Sequence, residues 1–166
     1  VLHYKGNAAL MERRHDEALE FHRRAGELTP SDAYCAAAFG MTQVYSGDFQ
    51  GAIATLKTSR RLSPYAINWA IYYLAWAYFW HGDLEQARSA AALYLAREPH
   101  EPFAYILLAV AAAATGRLDA ARGHIAVLLG KHPEMTRSGF AAAQFYRDPA
   151  RLQRIEVWLK DAGLPE

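Results

Sequence analysis

The sequence predicts an all-α fold in which antiparallel helix pairs stack side by side, and a repeated spacing of three small or rigid residues leads to this prediction. A Gly is followed five residues later by Ala, and that Ala is followed twelve residues later by Pro. The three copies are Gly47-Ala52-Pro64, Gly82-Ala87-Pro99 and Gly116-Ala121-Pro133. A repeat of about 34 residues is too short to bury its own apolar face, so each copy must pack against its neighbours.

The residue types in each copy are typical of two helices joined by a tight turn. The Gly suits the turn because it adopts a positive φ without a Cβ penalty. The Ala near the start of the second helix lets two helices approach closely, and the Pro ends that helix or follows its end. An incomplete first copy has Ala18 and Pro30, with Arg13 at the place of the Gly.

This register predicts eight helices in order along the chain. The first two pairs are Leu2–Glu12 with Asp16–Leu28, and Asp32–Tyr45 with Phe49–Leu62. The next two pairs are Tyr65–Trp80 with Leu84–Arg97, and Pro102–Thr115 with Leu118–Lys131. One extra residue lies between Pro64 and Gly82, which predicts a longer loop before the fifth helix.

The period ends after Pro133, and residues 135–166 are predicted to form a C-terminal capping segment. A short apolar stretch from Ser138 to Phe145 comes first. Asp148-Pro149 supplies an N-cap and a first-turn Pro, and Gly163 supplies the end of the helix. Within that helix, apolar side chains recur at helical spacing, namely Leu152, Ile155, Trp158 and Leu159.

The composition excludes several classes of function. The 18 basic and 17 acidic residues nearly cancel, which argues against nucleic acid or an acidic membrane surface as a partner. The single cysteine, Cys35, fits a reducing compartment and a cytoplasmic location. No apolar run reaches the roughly 18 residues of a membrane span. Because the sequence opens on Val1 inside a helical pattern, we expect it to be part of a longer protein.

The repeats resemble the tetratricopeptide repeat, whose pattern has a large and then a small residue in the first helix, followed by Ala and Pro. The matching residues are Phe39-Gly40, Leu74-Ala75 with Tyr78, and Leu108-Ala109. The resemblance covers about residues 3 to 133. It implies a right-handed superhelix, an α-solenoid of about four repeats at 1–31, 32–65, 66–100 and 101–134. It also implies a non-catalytic module that binds proteins on the concave face lined by the first helix of each pair.

The end of the chain carries a second, shorter resemblance. The segments Arg147–Leu152 and Asp161–Glu166 look like the C-terminus of bacterial class III adenylate/guanylate cyclases that carry a tetratricopeptide array. Related multidomain signalling regulators have similar tails. This resemblance implies that the chain is the C-terminal module of a bacterial signalling protein whose catalytic domain lies elsewhere.

The register also separates core positions from groove positions in the fifth helix. Ile71, Leu74, Ala75 and Tyr78 take the core positions, which leaves an aromatic stripe for the concave groove. With the equivalent positions of the neighbouring repeats, the candidate partner-binding residues are Tyr34, Met41, Tyr45, Trp69, Tyr72, Trp76, Phe79, Trp80 and Phe103.

The sequence leaves three interpretations of this aromatic stripe open. The stripe is additional core, or it receives a protein partner such as a helix, a peptide, an upstream domain or a second copy of this chain. Alternatively, the chain's own tail fills it, with Trp158 and Leu159 as inserts. A small apolar or aromatic ligand is a minor alternative.

The remaining polar residues give no reaction centre. The seven histidines lack the spacing of metal ligands. The basic residues near the start of the chain are interleaved with Glu, which is typical of a solvated helix surface rather than of a phosphate-binding site. A carboxylate clamp for acidic peptide tails needs Lys, Arg and Asn in the groove, where only Asn7 fits. Cys35 has no partner residue for nucleophilic chemistry in its sequence neighbourhood. We therefore expect no enzyme activity, no cofactor and no metal.

Overall fold

The computed structural model describes residues 1–166 and consists of ten helices without a strand. The helices are α1 (Leu2–Met11), α2 (His15–Leu28), α3 (Ala33–Ser46), α4 (Phe49–Leu62), α5 (Trp69–His81), α6 (Leu84–Arg97), α7 (Pro102–Ala114), α8 (Leu118–Lys131), α9 (Arg137–Ala142) and α10 (Pro149–Asp161). The predicted all-α solenoid is confirmed, with the eight predicted repeat helices present in order.

The turn inside each pair has the backbone geometry that the sequence predicts. Gly47, Gly82 and Gly116 have φ values of 95°, 96° and 75°, in the left-handed region that favours Gly. In the first pair Arg13 occupies this turn, and its φ of 59° makes it the one residue other than Gly with a positive φ. The first turn therefore keeps the repeat's geometry in spite of a large side chain.

The start of α5 differs from the prediction. The expected helix began at Tyr65, whereas α5 begins at Trp69. Residues 63–68 form a turn, and the first backbone hydrogen bonds at the start of the helix run from Ala70 N to Ile67 O and from Ile71 N to Asn68 O. The extra residue of this repeat is thus accommodated in the loop, which confirms the longer connection.

Small residues set the distance between neighbouring helices. Ala18, Ala52, Ala87 and Ala121, the Ala positions of the four copies, are fully buried or nearly so. Gly40 of α3 faces Leu56 of α4 so closely that a Cβ there would lie 2.5 Å from Leu56 Cγ. The close approach of α3 and α4 therefore depends on the missing side chain.

A buried histidine joins the first three helices. His22 of α2 is fully buried, and its Nδ1 lies 2.8 Å from Thr42 Oγ1 of α3. Its Nε2 lies 3.2 Å from His3 O of α1. Because burial disfavours the charged imidazolium, the pKa of His22 is lowered to about 4.

The first helix of each pair lies on the inner side of the superhelix. Helices α1, α3, α5 and α7 contact one another in series, and each also packs against the second helix of its own pair. The predicted core residues Ile71, Leu74, Ala75 and Tyr78 are all buried. No helix combines the length and the apolar character that a membrane crossing requires.

The C-terminal segment, defined here as residues 135–166, folds back onto the solenoid. Helix α10 packs on α7 and α9, and Phe140, Ile155 and Leu159 are fully buried. The predicted N-cap is present, because the Asp148 carboxylate accepts a hydrogen bond from Ala150 N. Gly163 follows the helix with a φ of 91°.

Candidate functional site

The carboxyl-terminal ends of α3 and α5 are covered by rings of the C-terminal segment. The Tyr146 ring lies 5.2 Å from the Tyr45 ring and 6.2 Å from the Trp80 ring, measured between centroids. The Trp158 ring lies 5.7 Å from Phe79 and 6.3 Å from Trp80. These are edge-to-face or tilted contacts within the range that stabilises aromatic pairs.

The same cover extends to the last repeat and to the outer edge of the groove. The Phe140 ring contacts the Phe103 ring at 5.8 Å. The Arg151 guanidinium lies between two rings, 4.6 Å from the centroid of Phe49 and 5.1 Å from that of Trp80. Cation–π attraction thus adds to the apolar contact at this edge.

Hydrogen bonds fix the register of the cover. The backbone N–H of Arg147 donates to Tyr45 O at 2.8 Å. The indole N–H of Trp80 donates to Tyr146 Oη at 3.3 Å, and Tyr45 Oη donates to Gln144 Oε1 at 3.4 Å. Burial, and then the neighbouring Tyr73, raises the pKa of Tyr45 well above its usual value, so its hydroxyl stays neutral.

Arg13 links the C-terminal segment to the first repeat. Its guanidinium donates to Gln144 O at 3.1 Å and approaches Tyr146 O at 3.5 Å. Arg147 forms an ion pair with Asp16 beside it. The residue that breaks the Gly pattern therefore contacts a segment more than a hundred residues away in sequence.

Part of the predicted groove is therefore interior. Tyr45, Tyr72, Trp76 and Phe79 are buried. Trp76, which is only 1% exposed, and Tyr72 belong to the same apolar cluster as Phe140, Tyr146, Ile155 and Leu159. Trp80 and Phe103 are half-buried beneath the C-terminal rings. The chain's own tail covers the rings of Tyr45, Phe79, Trp80 and Phe103. Tyr72 and Trp76 are additional core.

The other part of the groove stays open. Tyr34 is 41% exposed, and Met41 and Trp69 are half-buried. They line a concavity of about 220 Å³ together with Asn7, Ala38 and Tyr73. The Tyr34 and Trp69 rings meet edge to face at 5.6 Å, and Tyr73 meets Trp69 at 5.9 Å. We call this the open concavity.

Tyr73 and Asn7 were not predicted in this role. Tyr73 belongs to neither the core set nor the groove set of the α5 register, although it packs between Trp69 and Tyr45. Asn7 was considered only for a carboxylate clamp. Its side-chain oxygen is buried and has no hydrogen-bond partner. The sequence does contain a signal that Tyr73 packs against other rings, because it follows Tyr72 on a helix whose faces are nearly all apolar.

A larger concavity, about 720 Å³, is lined mostly by polar residues and includes Arg13, and it shares no lining residue with the open concavity. Its guanidinium groups already have partners. Arg14 pairs with Glu12 and Glu17, Arg147 pairs with Asp16, and Arg13 donates to backbone carbonyls. Because these charges are satisfied within the protein, the open concavity is the better candidate site.

Comparison with known proteins agrees with this architecture. Residues 43–102 match the family model of the tetratricopeptide repeat. A search of curated protein sequences gives no match. This family match, together with the likeness to solved structures, supports a tetratricopeptide repeat domain.

Solved structures share the fold over nearly the whole chain. TTC0263, a thermophilic tetratricopeptide protein of Thermus thermophilus, superposes with a TM-score of 0.74 at 22% identity, covering 97% of this chain and 84% of that one. The crystal structure of MamA gives a TM-score of 0.68 at 20% identity, covering 95% and 91%. At these identities the likeness concerns the fold alone.

The class of protein follows at a coarse level. Tetratricopeptide proteins are generally non-catalytic and bind protein partners, and the fold of this chain is consistent with such an interaction module.

Proposed function

We propose that this chain is a non-catalytic protein–protein interaction module whose docking surface is the open concavity. One observation carries the proposal. The C-terminal segment covers the aromatic residues at one end of the groove and leaves Tyr34, Met41 and Trp69 accessible at the other. Aromatic and Met side chains at a concave surface are typical of the centre of a protein interface.

The size of the open concavity favours a side chain of a protein over a free ligand. Its volume of about 220 Å³ is below the roughly 300–1,000 Å³ of most small-molecule sites. One large apolar side chain fits this space. The alternative, regulation by a small apolar or aromatic compound, predicts reproducible thermal stabilisation by one member of a metabolite panel.

We further propose that the module belongs to a larger bacterial signalling protein, such as a nucleotide cyclase, and acts in the cytoplasm. The resemblance of Arg147–Leu152 and Asp161–Glu166 to cyclase tails supports the context, and the single Cys35 supports the compartment. In this setting the partner is another protein, the module's own upstream domain or a second copy of the chain.

Site-specific photo-crosslinking in the source cell tests the docking surface. A photoreactive phenylalanine analogue replaces Tyr34 at the rim of the open concavity. In the matched control it replaces Ala54, which is exposed on α4. We expect a discrete crosslinked protein from position 34 that disappears when Trp69→Ala is added, because the ring that holds the partner is then missing.

Equal crosslinking from positions 34 and 54 would contradict the proposal, as would crosslinking that survives Trp69→Ala. Light scattering on the purified chain identifies the case in which the crosslinked partner is a second copy. A monomer at the concentrations used would exclude self-association.

A further inference from the structure

Trp69 lines both the open concavity and a second one of different character. The second concavity has a volume of about 280 Å³. Its lining consists of two carboxylates, one amide and two aromatic rings beside one Ala, namely Glu98, Glu101, Asn68, Trp69, Tyr94 and Ala66. Trp69 therefore belongs to the lining of an apolar site and of an acidic site. We call the second one the acidic concavity.

The carboxylates of the acidic concavity have no cationic partner in the chain. Glu98 Oε1 accepts one hydrogen bond, from Asn68 Nδ2 at 2.6 Å. Glu101 takes part in none of the side-chain hydrogen bonds or ion pairs of the protein. Elsewhere on the surface, nine Arg–carboxylate pairs lie within 4 Å of each other. Glu98 and Glu101 are thus two carboxylates without an ion pair that line the same concavity.

Arg97, the basic residue next to Glu98 in the sequence, makes its contacts with other groups. The Arg97 guanidinium donates to Pro64 O at 2.8 Å and to Asn68 Oδ1 at 3.3 Å, and it lies 5.3 Å from the centroid of the Tyr65 ring. Asn68 thus stands between Arg97 and Glu98. Burial and, after it, the negative charges of Glu101 and Glu98 raise the pKa of Tyr94, in keeping with the place of all three residues in one concavity.

We propose that the partner segment carries a Lys or Arg beside an apolar anchor, an inference that rests on the proposed function. The anchor enters the open concavity between Tyr34 and Trp69. The cation enters the acidic concavity against Glu98 and Glu101, and its methylene stem lies along the Trp69 ring. A charge-assisted hydrogen bond to a carboxylate is among the stronger polar contacts available at an interface.

Because the two concavities share one ring, the two side chains must project from the same face of the partner. In an extended segment such residues are at i and i+2, and in a helix they are at i and i+3 or i+4. The two carboxylates disfavour phosphate groups and acidic peptide tails at this concavity, because like charges repel. Binding is expected to weaken as salt is raised.

Fluorescence anisotropy with defined peptides and the full chain tests this inference. The probes are short labelled peptides with one Trp or Leu and an Arg two, three or four positions later, each with a twin in which Gln replaces Arg. We expect at least one Arg peptide to bind about tenfold more tightly than its Gln twin. The Glu98→Gln/Glu101→Gln variant should abolish that difference while the Gln twin binds as before.

A matched control removes two carboxylates elsewhere. Asp119→Asn/Glu134→Gln changes the net charge equally, at exposed positions on and after α8, and should keep the tenfold preference. Equal binding of Arg and Gln peptides that is lost in Trp69→Ala would overturn the charge inference and leave the proposed function standing. Binding of none of the peptides would also overturn the inference, and an absent crosslink from position 34 would then remove the proposed function as well.

Discussion

Arg13 makes a prediction in which two substitutions at one position separate backbone strain from side-chain contact. A residue with a Cβ pays about 1 kcal/mol relative to Gly in the left-handed region, and Arg13 has a φ of 59°. Its guanidinium offsets this cost by donating to Gln144 O at 3.1 Å. Arg13→Gly removes both the strain and the contact, whereas Arg13→Ala removes the contact alone.

The magnitudes give a definite ranking of stability. A hydrogen bond from a charged donor contributes about 1.5 kcal/mol at the lower end of the usual range, which suits a partly exposed arginine. Arg13→Gly should therefore lower the free energy of unfolding by about 0.5 kcal/mol. Arg13→Ala should lower it by about 1.5 kcal/mol, because nothing is regained. From most to least stable, the expected order is the protein with Arg13, the Arg13→Gly variant and the Arg13→Ala variant.

Amide hydrogen exchange gives the local readout. The Arg147 N–H donates to Tyr45 O at 2.8 Å, so its exchange rate reports whether the C-terminal segment is docked. Loss of the Arg13 contact should raise this rate about tenfold, while amides in the middle of α7 keep theirs. Urea denaturation supplies the global values. An Ala variant as stable as the Gly variant, or an unchanged Arg147 amide in both, would refute this account of Arg13.

Three further predictions concern packing, pH and a buried hydroxyl. Gly40→Ala should destabilise the protein by about 1–2 kcal/mol, because its Cβ would meet Leu56 in the core. Gly123→Ala, with no neighbour within 4 Å, should stabilise it by about 0.5–1 kcal/mol, and equal effects in thermal unfolding would contradict this reasoning. The His22 pKa of about 4 lies below the usual 6.5, so the unfolded chain binds the extra proton. Stability is then full above pH 6.5 and falls by at most about 3 kcal/mol as the pH drops to about 4. Denaturation at a series of pH values measures this fall, and a His22→Gln variant should lose most of it. Tyr72→Phe removes a buried hydroxyl that makes no hydrogen bond of normal geometry, with the Trp76 indole as its available donor. The substitution should be neutral or stabilising by up to about 1 kcal/mol. A clear destabilisation in urea would show that this hydroxyl is bonded.

The repeat helices could be predicted because their signals are local and steric. Gly47 adopts a φ of 95°, Ala52 is fully buried at a helix crossing, and Pro64 follows the end of α4 by two residues. Each residue type has a direct effect on the backbone or on the distance between helices, so one sequence contains the information. The predicted start of α5 was wrong. The extra residue of that repeat lies in the loop before the helix, and the repeat period alone does not show where in the repeat the extra residue falls.

The path of the C-terminal segment over the solenoid could not be predicted from the sequence, and the reason is physical. The helical spacing of Ile155 and Leu159 shows that one face of α10 is buried, but any apolar surface would satisfy that pattern. The partners of Arg13 were equally hidden. Its guanidinium donates to backbone carbonyls, which every residue possesses, so no residue type marks the acceptor. The split of the groove into a covered part and an open part therefore emerged only with the structure.

The covered and open parts are joined by a continuous row of rings. Tyr34 contacts Trp69, Trp69 contacts Tyr73 and Tyr73 contacts Tyr45, with centroid distances of 5.6, 5.9 and 5.7 Å. A partner seated between Tyr34 and Trp69 thus reaches, at Tyr73, the edge of the cover. The stretch of the cover that meets Tyr45 lies between α9 and α10 and is the part that Arg13 holds. Release of this stretch would lengthen the open groove toward Tyr45 while the apolar contacts of α10 persist. Arg13 in the first turn thus contacts the same stretch that ends the open part of the aromatic row at Tyr45.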